Sequence, residues 1–229
     1  MKKAKQLMGL MVLLVTAIGT MITGEEYLQT QGKQSEGKPV IVIDAGHGGK
    51  DPGKVGYHDE LEKDINLAIS RLIEEKLLAE GYEVILTRTE DNTATGEYDA
   101  SKSEDMKARI KIITEANPVC CVSVHQNSFT DAAVKGAQTF YHTGSAEGRQ
   151  LAEVIQRFLV EVADPENTRK IKENNEYYLL KQTACPLVIV ECGFLSNEDE
   201  SARLSSKEYQ ELVAEAIVRG ILEYVKEEQ

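Results

Sequence analysis

The chain has 229 residues, of which 41% are hydrophobic, so it is long enough to bury one sizeable core and we expect a single folded domain. It carries 26 lysines and arginines against 38 aspartates and glutamates, a formal net charge of -12. Nucleic-acid binding draws much of its affinity from basic side chains that displace counterions. This charge therefore argues against a nucleic-acid partner.

The first residues have the composition of an export segment. Three lysines within the first five residues precede an uncharged run at 7–22 that is rich in Leu, Val, Met and Ile. No small-x-small cleavage site follows before Glu25, and the run is of borderline length for a membrane span. We predict that residues 1–24 are a signal peptide or a membrane anchor, which would tether an exported, extracytoplasmic protein.

The next segment predicts a linker. Residues 25–38 are mostly polar and show no periodic apolar pattern to bury. The predicted domain therefore occupies residues 39–229.

The first half of that domain has alternating strand and helix signals. A β-branched run at 40–43 predicts a strand buried on both faces. Apolar residues at helical spacing over 67–78, stopped by Gly81, predict a helix. A strand at 82–87, a helix ending near Ala116 and a second buried strand at 119–124 complete a βαβαβ order.

The second half continues the alternation. It predicts a strand near 137–141, a helix at about 146–162, a short strand-like piece around 177–180, a third buried run at 187–190 and an amphipathic helix from 207 to about 226. Strands alternating with helices of this length indicate an α/β fold. We expect a single domain with a twisted, mostly parallel sheet of about six strands and helices on both faces.

The four cysteines predict buried free thiols. Cys120 and Cys121 are adjacent in one apolar run, and Cys185 and Cys192 flank another. The sequence has no CxxC pair, so a four-thiolate metal site is excluded.

Titratable side chains follow the three buried strands. His47 lies in the glycine-rich turn after the first run, His125 directly follows the second, and Glu191 directly follows the third. Ligands of parallel sheets bind beyond the carboxyl ends of the strands, so these residues should lie at one edge.

Two histidines and a carboxylate at such an edge are typical of a catalytic zinc site. Zinc there takes three protein ligands and leaves a fourth position for a water of pKa about 7. His47 and His125 supply two ligands, and Glu60, Glu62 and Asp64 in the segment entering the first helix are candidates for the third. Glu191 would remain off the metal as general base, although a helix-capping or hydrogen-bonded carboxylate is the alternative.

Other polar residues have two interpretations each. Asp44 could orient His47 through its other ring nitrogen, or accept backbone hydrogen bonds in the turn. Arg88, Arg109 and Lys181 could bind substrate carboxylates or face water. His58 and His142 are expected to be ordinary structural residues.

Five motifs in order carry a family resemblance: Val-Ile-Val-Ile-Asp-Ala-Gly-His-Gly-Gly at 40–49, Glu-Lys-Asp at 62–64, Leu-Thr-Arg-Thr at 86–89, Ser-Val-His-Gln-Asn at 123–127 and Glu-Cys-Gly-Phe-Leu-Ser-Asn at 191–197. Over about residues 39–225 the chain resembles the zinc-dependent N-acetylmuramoyl-L-alanine amidases of the amidase-3 type. The resemblance implies Zn²⁺ as cofactor, with His47, Glu62 and His125 as ligands and Glu191 as catalytic base.

Two residues depart from the family pattern. Cys192 stands where Leu, Ile or Val is more familiar, and Gln126 where a small residue often sits. Neither departure removes an implied ligand. The segment between His125 and Ala137 is short, so the regulatory helix that occludes the metal in some members is expected to be absent.

The resemblance implies a peptidoglycan hydrolase that cuts the amide between N-acetylmuramic acid and L-alanine of a muramyl peptide. A short hydrophobic segment and a bare domain most resemble the germination-specific amidases, which act in spore cortex maturation through muramic-δ-lactam formation. The alternatives are a vegetative or lytic wall amidase and, from another class, an inactive wall-binding or regulatory module. A further partner could be an accessory or activating protein.

Overall fold

The computed structural model describes residues 38–227. The export segment predicted for 1–24, and all but the last residue of the predicted linker, lie outside these residues. Within the described part of the chain, the helices are all too short or too polar to cross a membrane.

One sheet forms the centre of the described region. Its strands are β1 (Val40–Ala45), β2 (Glu83–Leu86), β3 (Cys120–Asn127), β4 (Gln138–His142), β5 (Lys172–Asn174) and β6 (Leu187–Phe194). They are ordered β2-β1-β3-β6-β4-β5. Only the β4–β6 pair is antiparallel among these strands. The predicted six-stranded, mostly parallel sheet is confirmed.

Helices cover both faces of the sheet, as predicted. They are α1 (Glu62–Ala79), α2 (Lys102–Ala116), α3 (Ala146–Phe158), α4 (Tyr178–Gln182), α5 (Glu198–Ser205) and α6 (Lys207–Glu227). Helices α1, α3 and α6 pack on one face, where Ile41, Ile43 and Val122 are buried. Helices α2 and α4 pack on the other face, against Val42 and Cys121.

The second half of the chain contains the errors of prediction. The strand-like piece at 177–180 is wrong, because this segment forms α4 and buries Leu179 and Leu180 under the sheet. A short apolar run does not distinguish a strand from a buried helical turn. The sequence interpretation also missed β5 and α5, and the helix predicted to 162 changes to π geometry at Leu159–Ala163.

All four cysteines are free. Cys120, Cys121 and Cys192 are buried as predicted, whereas Cys185 is only half-buried. Burial raises the pKa of the Cys185 thiol to about 11. These thiols are therefore protonated at neutral pH and act as small apolar side chains.

Strand alternation decides where the polar residues point. Successive residues face opposite sides of a sheet, so Asp44 shares the α2–α4 face with Val42, and Glu191 shares it with Ile189. His125 is paired in register with Glu191 on the neighbouring strand. The sheet thus delivers these three side chains to one edge and one face.

Candidate metal centre and catalytic cleft

Three side chains from distant segments converge at the carboxyl ends of β1 and β3. Glu62 Oε1, on the first residue of α1, lies 3.2 Å from His47 Nε2 and 2.9 Å from His125 Nδ1. One ligand atom from each residue lies within 4.8 Å of the others. These three residues could hold a metal ion.

The donor set fits zinc. Nitrogen and oxygen ligands at about 2.0–2.2 Å from a tetrahedral zinc ion lie roughly 3.3 Å from one another. The two Glu62 contacts have this spacing, and three protein ligands leave a fourth coordination position for water. The other candidates for the third ligand lie elsewhere: the Glu60 carboxylate accepts hydrogen bonds from the His58 N–H and the Ser201 hydroxyl, and Asp64 is exposed.

The surroundings of Glu62 keep it ionised. Burial raises its pKa, but hydrogen bonds and charge interactions with His125 and His47 outweigh burial and hold the pKa well below the usual range. The backbone N–H groups of Lys54 and Gln126 donate to its two carboxylate oxygens at 2.8 and 3.0 Å. An ionised carboxylate is the form that binds a cation.

His47 is held by a strained turn and a second carboxylate. Its φ of 59° lies in the left-handed region, which non-glycine residues seldom adopt. Asp51 Oδ2 lies 3.0 Å from His47 Nδ1, a contact that fixes the ring orientation and leaves Nε2 directed at Glu62. Burial lowers the pKa of His47, but Glu62 and Asp51 outweigh it and raise the pKa.

Two glycines allow the close approach of these groups. A Cβ added to Gly46 would lie 2.3 Å from the His125 ring, and one added to Gly53 would lie 2.5 Å from Glu62 Oε2. Both distances are shorter than the contacts that real Cβ atoms make, so a side chain at either position would displace a candidate ligand.

The two arginines proposed as substrate-binding residues are instead buried under the His47 turn. Arg109 donates to the backbone carbonyls of Ala45 and His47 at 2.7 and 2.6 Å. Arg88 donates to the carbonyls of Ala45 and Gly46 at 2.9 and 3.0 Å. Solvent exposure is therefore wrong for these two residues, and their guanidinium groups are already occupied by hydrogen bonds within the protein.

Asp44 anchors the same cluster and takes neither of its two predicted roles. Its carboxylate accepts hydrogen bonds from the side chains of Thr87, Ser123 and Arg109 at 2.5–2.7 Å. Burial raises its pKa, but these partners outweigh burial and lower the pKa to about 2. The residue that orients His47 is Asp51, which the sequence interpretation did not single out.

Glu191 differs from Glu62 in its lack of partners. The Tyr177 hydroxyl donates to Glu191 Oε1 at 3.2 Å, whereas buried Oε2 has no hydrogen-bond partner among the described residues. Burial and the nearby charge of Glu62 raise the pKa of Glu191. The helix-capping alternative is not observed: Asn197 caps the helix that follows β6.

Tyr177 is a site residue that sequence reasoning missed. It is the residue before α4, and its ring packs edge-on against Phe140 with centroids 5.6 Å apart. Nothing in the local sequence pairs Tyr177 with Glu191, because the contact joins the α4 entry to the end of β6.

A cleft of about 450 Å³ joins these groups. Its lining includes His47, Glu62, His125 and Glu191, cationic side chains at Lys54 and Lys102, and the less polar Met106, Tyr177, Tyr178 and Leu179. His58, His142 and Lys181 do not line it, and His58 and Lys181 are exposed. The cleft has a ligand-sized volume and places the candidate metal centre beside an underpaired carboxyl group.

Comparison with known proteins identifies close relatives of this arrangement. The family profile Amidase_3, described as N-acetylmuramoyl-L-alanine amidase, matches residues 41–223. The germination-specific N-acetylmuramoyl-L-alanine amidase of Bacillus subtilis is 36% identical over 82% of this chain and 80% of its own length.

Two solved structures share the fold. The CwlD amidase from Clostridioides difficile, solved in complex with the GerS lipoprotein, is 40% identical with a TM-score of 0.78, over 82% of this chain and 98% of that chain. The catalytic domain of the amidase CwlV from Bacillus (Paenibacillus) polymyxa var. colistinus is 33% identical with a TM-score of 0.73. The match covers 82% of this chain and 98% of that chain.

Proposed function

Because this chain belongs to the N-acetylmuramoyl-L-alanine amidase family and is a peptidoglycan amidase, we propose that it works as a zinc enzyme with His47, Glu62 and His125 as ligands and Glu191 as general base. The supporting observation is the convergence of two imidazoles and an ionised carboxylate beside a buried carboxyl group that has a free oxygen. Glycan and peptide are joined by the amide that this enzyme cuts.

The proposed chemistry divides the work between two carboxylates. Zinc, when bound, would lower the pKa of a water to about 7 and polarise the substrate carbonyl. Glu191 takes a proton from the attacking water and passes it to the leaving alanine nitrogen as the C–N bond breaks. The Tyr177 hydroxyl holds Glu191 Oε1, which leaves Oε2 for proton transfer.

Purified protein and defined muropeptides test this assignment. We expect zinc-loaded enzyme to release peptides with a free alanine amino group, identified by mass spectrometry. His47→Ala and His125→Ala should lose both zinc and activity, while Glu191→Gln keeps zinc after dialysis. Full turnover by Glu191→Gln, or by protein stripped of metal, would contradict the assigned roles.

We further propose that the substrate is spore cortex, where removal of the peptide from muramic acid prepares muramic-δ-lactam formation. The support is 36% identity to a germination-specific amidase. Spores lacking the gene should contain muropeptides without the lactam. Normal cortex in those spores, with altered vegetative walls, would favour a vegetative role instead.

The proposal includes an extracytoplasmic location and an accessory protein. We place the enzyme outside the cytoplasm, exported by residues 1–24, because its substrate is in the wall. An accessory lipoprotein is proposed because the CwlD relative was solved with one. Co-purification of a lipoprotein from sporulating cells supports this partner, and full activity with no added protein would show that it is dispensable.

A further inference from the structure

A pair of buried amide side chains lies next to the Glu62 carboxylate. Asn66, one turn further along α1, is fully buried, and Gln126 at the end of β3 is 3% exposed. Neither residue is among the metal-ligand candidates. Both nevertheless contact the Glu62 carboxylate, and Asn66 also contacts the backbone next to His47.

Asn66 joins the helix to the β1 turn. Its Nδ2 donates to the Gly46 carbonyl at 3.1 Å and makes a long contact of 3.4 Å to Glu62 Oε1. Gly46 precedes His47, so one amide touches both the carboxylate ligand and the backbone that presents an imidazole ligand.

Gln126 closes this arrangement from β3. Its Nε2 donates to Asn66 Oδ1 at 3.1 Å, and its backbone N–H donates to Glu62 Oε1 at 3.0 Å. Gln126 therefore holds Glu62 directly through its main chain and indirectly through its side chain. It also follows His125, so α1, β1 and β3 meet through these two amides.

The burial of Gln126 is otherwise unfavourable. Its Oε1 has no hydrogen-bond partner among the described residues, and an unpaired buried acceptor costs about 1–3 kcal/mol. The hydrogen bond from Nε2 to Asn66 partly offsets that cost.

We propose that Asn66 and Gln126 form a positioning relay, which fixes the Glu62 carboxylate relative to His47 and His125 and thereby sets the affinity of the site for its metal. This inference rests on the proposed function, since it assigns the relay to the same three ligands. Outer groups that orient metal ligands typically change metal affinity 10–100-fold when they are removed.

The experiment measures zinc affinity by chelator competition for the wild type, Gln126→Met, Asn66→Leu and the double variant. Both replacements remove the amide; leucine keeps the branched shape of asparagine but is larger, and methionine is unbranched and close to glutamine in length. We expect each single variant to bind zinc about 10-fold more weakly or worse. The double variant should be no weaker than Asn66→Leu, because Gln126 acts through Asn66.

Ser70→Ala is the matched control. Ser70 is fully buried one turn beyond Asn66 on α1, and its hydroxyl has no hydrogen-bond partner among the described residues. Its loss should leave zinc affinity unchanged. At saturating Co²⁺, the visible absorption bands should change in Gln126→Met and stay unchanged in Ser70→Ala, which separates ligand orientation from general loss of stability.

The outcomes are distinguishable. If wild-type protein binds no zinc at the three-residue site, the proposed function fails. If the wild type binds zinc and folded Gln126→Met binds it equally well with the same Co²⁺ bands, the relay is wrong. If Asn66→Leu does not fold, Gln126→Met alone decides the question.

Discussion

The two ends of the active-site edge are built in opposite ways. At the β1 turn, Asp44, Arg88 and Arg109 are buried with several partners each, and they fix the backbone that presents His47. At the end of β6, Glu191 has a single hydrogen-bonded partner, Tyr177, and one unpaired oxygen within residues 38–227. The first region fixes the geometry of the turn, and the second leaves a carboxylate oxygen free for the role proposed for Glu191.

This difference explains how two glutamates at one sheet edge, Glu62 and Glu191, can take the two roles proposed for them. The many donors around Glu62 favour its charged form, whereas burial beside another carboxylate disfavours the charge on Glu191. Carboxyl groups whose environments push their pKa values apart are typical of sites with divided acid–base and binding roles. The following predictions test that division.

The largest expected effect is on turnover. Glu191→Gln should lower kcat by about 10²–10⁴-fold, the usual contribution of a general base, with zinc content unchanged. Steady-state kinetics with metal analysis of the same sample checks both halves. A parallel loss of zinc would show that Glu191 belongs with the ligands.

Next is the stability of the β1 turn. Arg109→Met should destabilise the protein by about 3–5 kcal/mol, because it leaves the buried Asp44 without its charged partner. Urea unfolding measures the change. Arg149→Met, which breaks an exposed and solvent-screened pair with Glu153, should change stability far less. Similar losses in both variants would contradict the importance given to the buried cluster.

Loss of the His47 partner should have a smaller effect. Asp51→Asn is expected to weaken zinc binding about 10–100-fold, since the ring loses a charged acceptor that fixes its orientation. Chelator competition measures it. Asp59→Asn, an exposed change in the same loop, serves as control and should leave zinc affinity unchanged.

Removal of the hydrogen bond from Tyr177 to the proposed base, Glu191, should affect kcat more modestly. Tyr177→Phe removes a hydrogen bond to a charged group, for which about 1.5–3 kcal/mol is typical, so kcat should fall roughly 10-fold or more. KM and zinc content should change little. Tyr57→Phe, which is exposed and outside the cleft lining, provides the control.

The sheet and the positions of three functional residues could be predicted because their signals are local. Buried parallel strands appear as β-branched runs, and the residue after each run lies at the carboxyl edge. Helical periodicity could also have selected Glu62, which shares a buried stripe with Ile65 and Ile69, whereas Asp64 falls on the exposed side of α1.

The remaining site residues depend on contacts between distant elements. Arg109 reaches Asp44 across 65 positions of the chain, whereas Asp51 is only four residues from His47 and meets its ring in a turn where His47 has a positive φ. Tyr177 meets Glu191 because α4 packs beneath the sheet, where a strand was predicted. No pattern in the neighbouring residues specifies these pairings.

The smallest expected effect is a gain in stability that depends on pH. The raised pKa of Glu191 means that the unfolded chain releases this proton at lower pH than the folded protein does. Ionised Glu191 therefore destabilises the fold at neutral pH, and this penalty disappears below the ordinary pKa of 4.5, where both states are protonated.

In metal-free protein at pH 7, Glu191→Gln should raise the free energy of unfolding by roughly 1 kcal/mol, the lower end of the cost of an unpaired buried acceptor. Urea unfolding measures this gain as a higher midpoint. The gain should vanish near pH 4, and the exposed control Glu75→Gln should show none. A loss of stability in Glu191→Gln at pH 7 would mean that the β6 end is as well paired as the β1 turn, and the contrast between the two regions would fail.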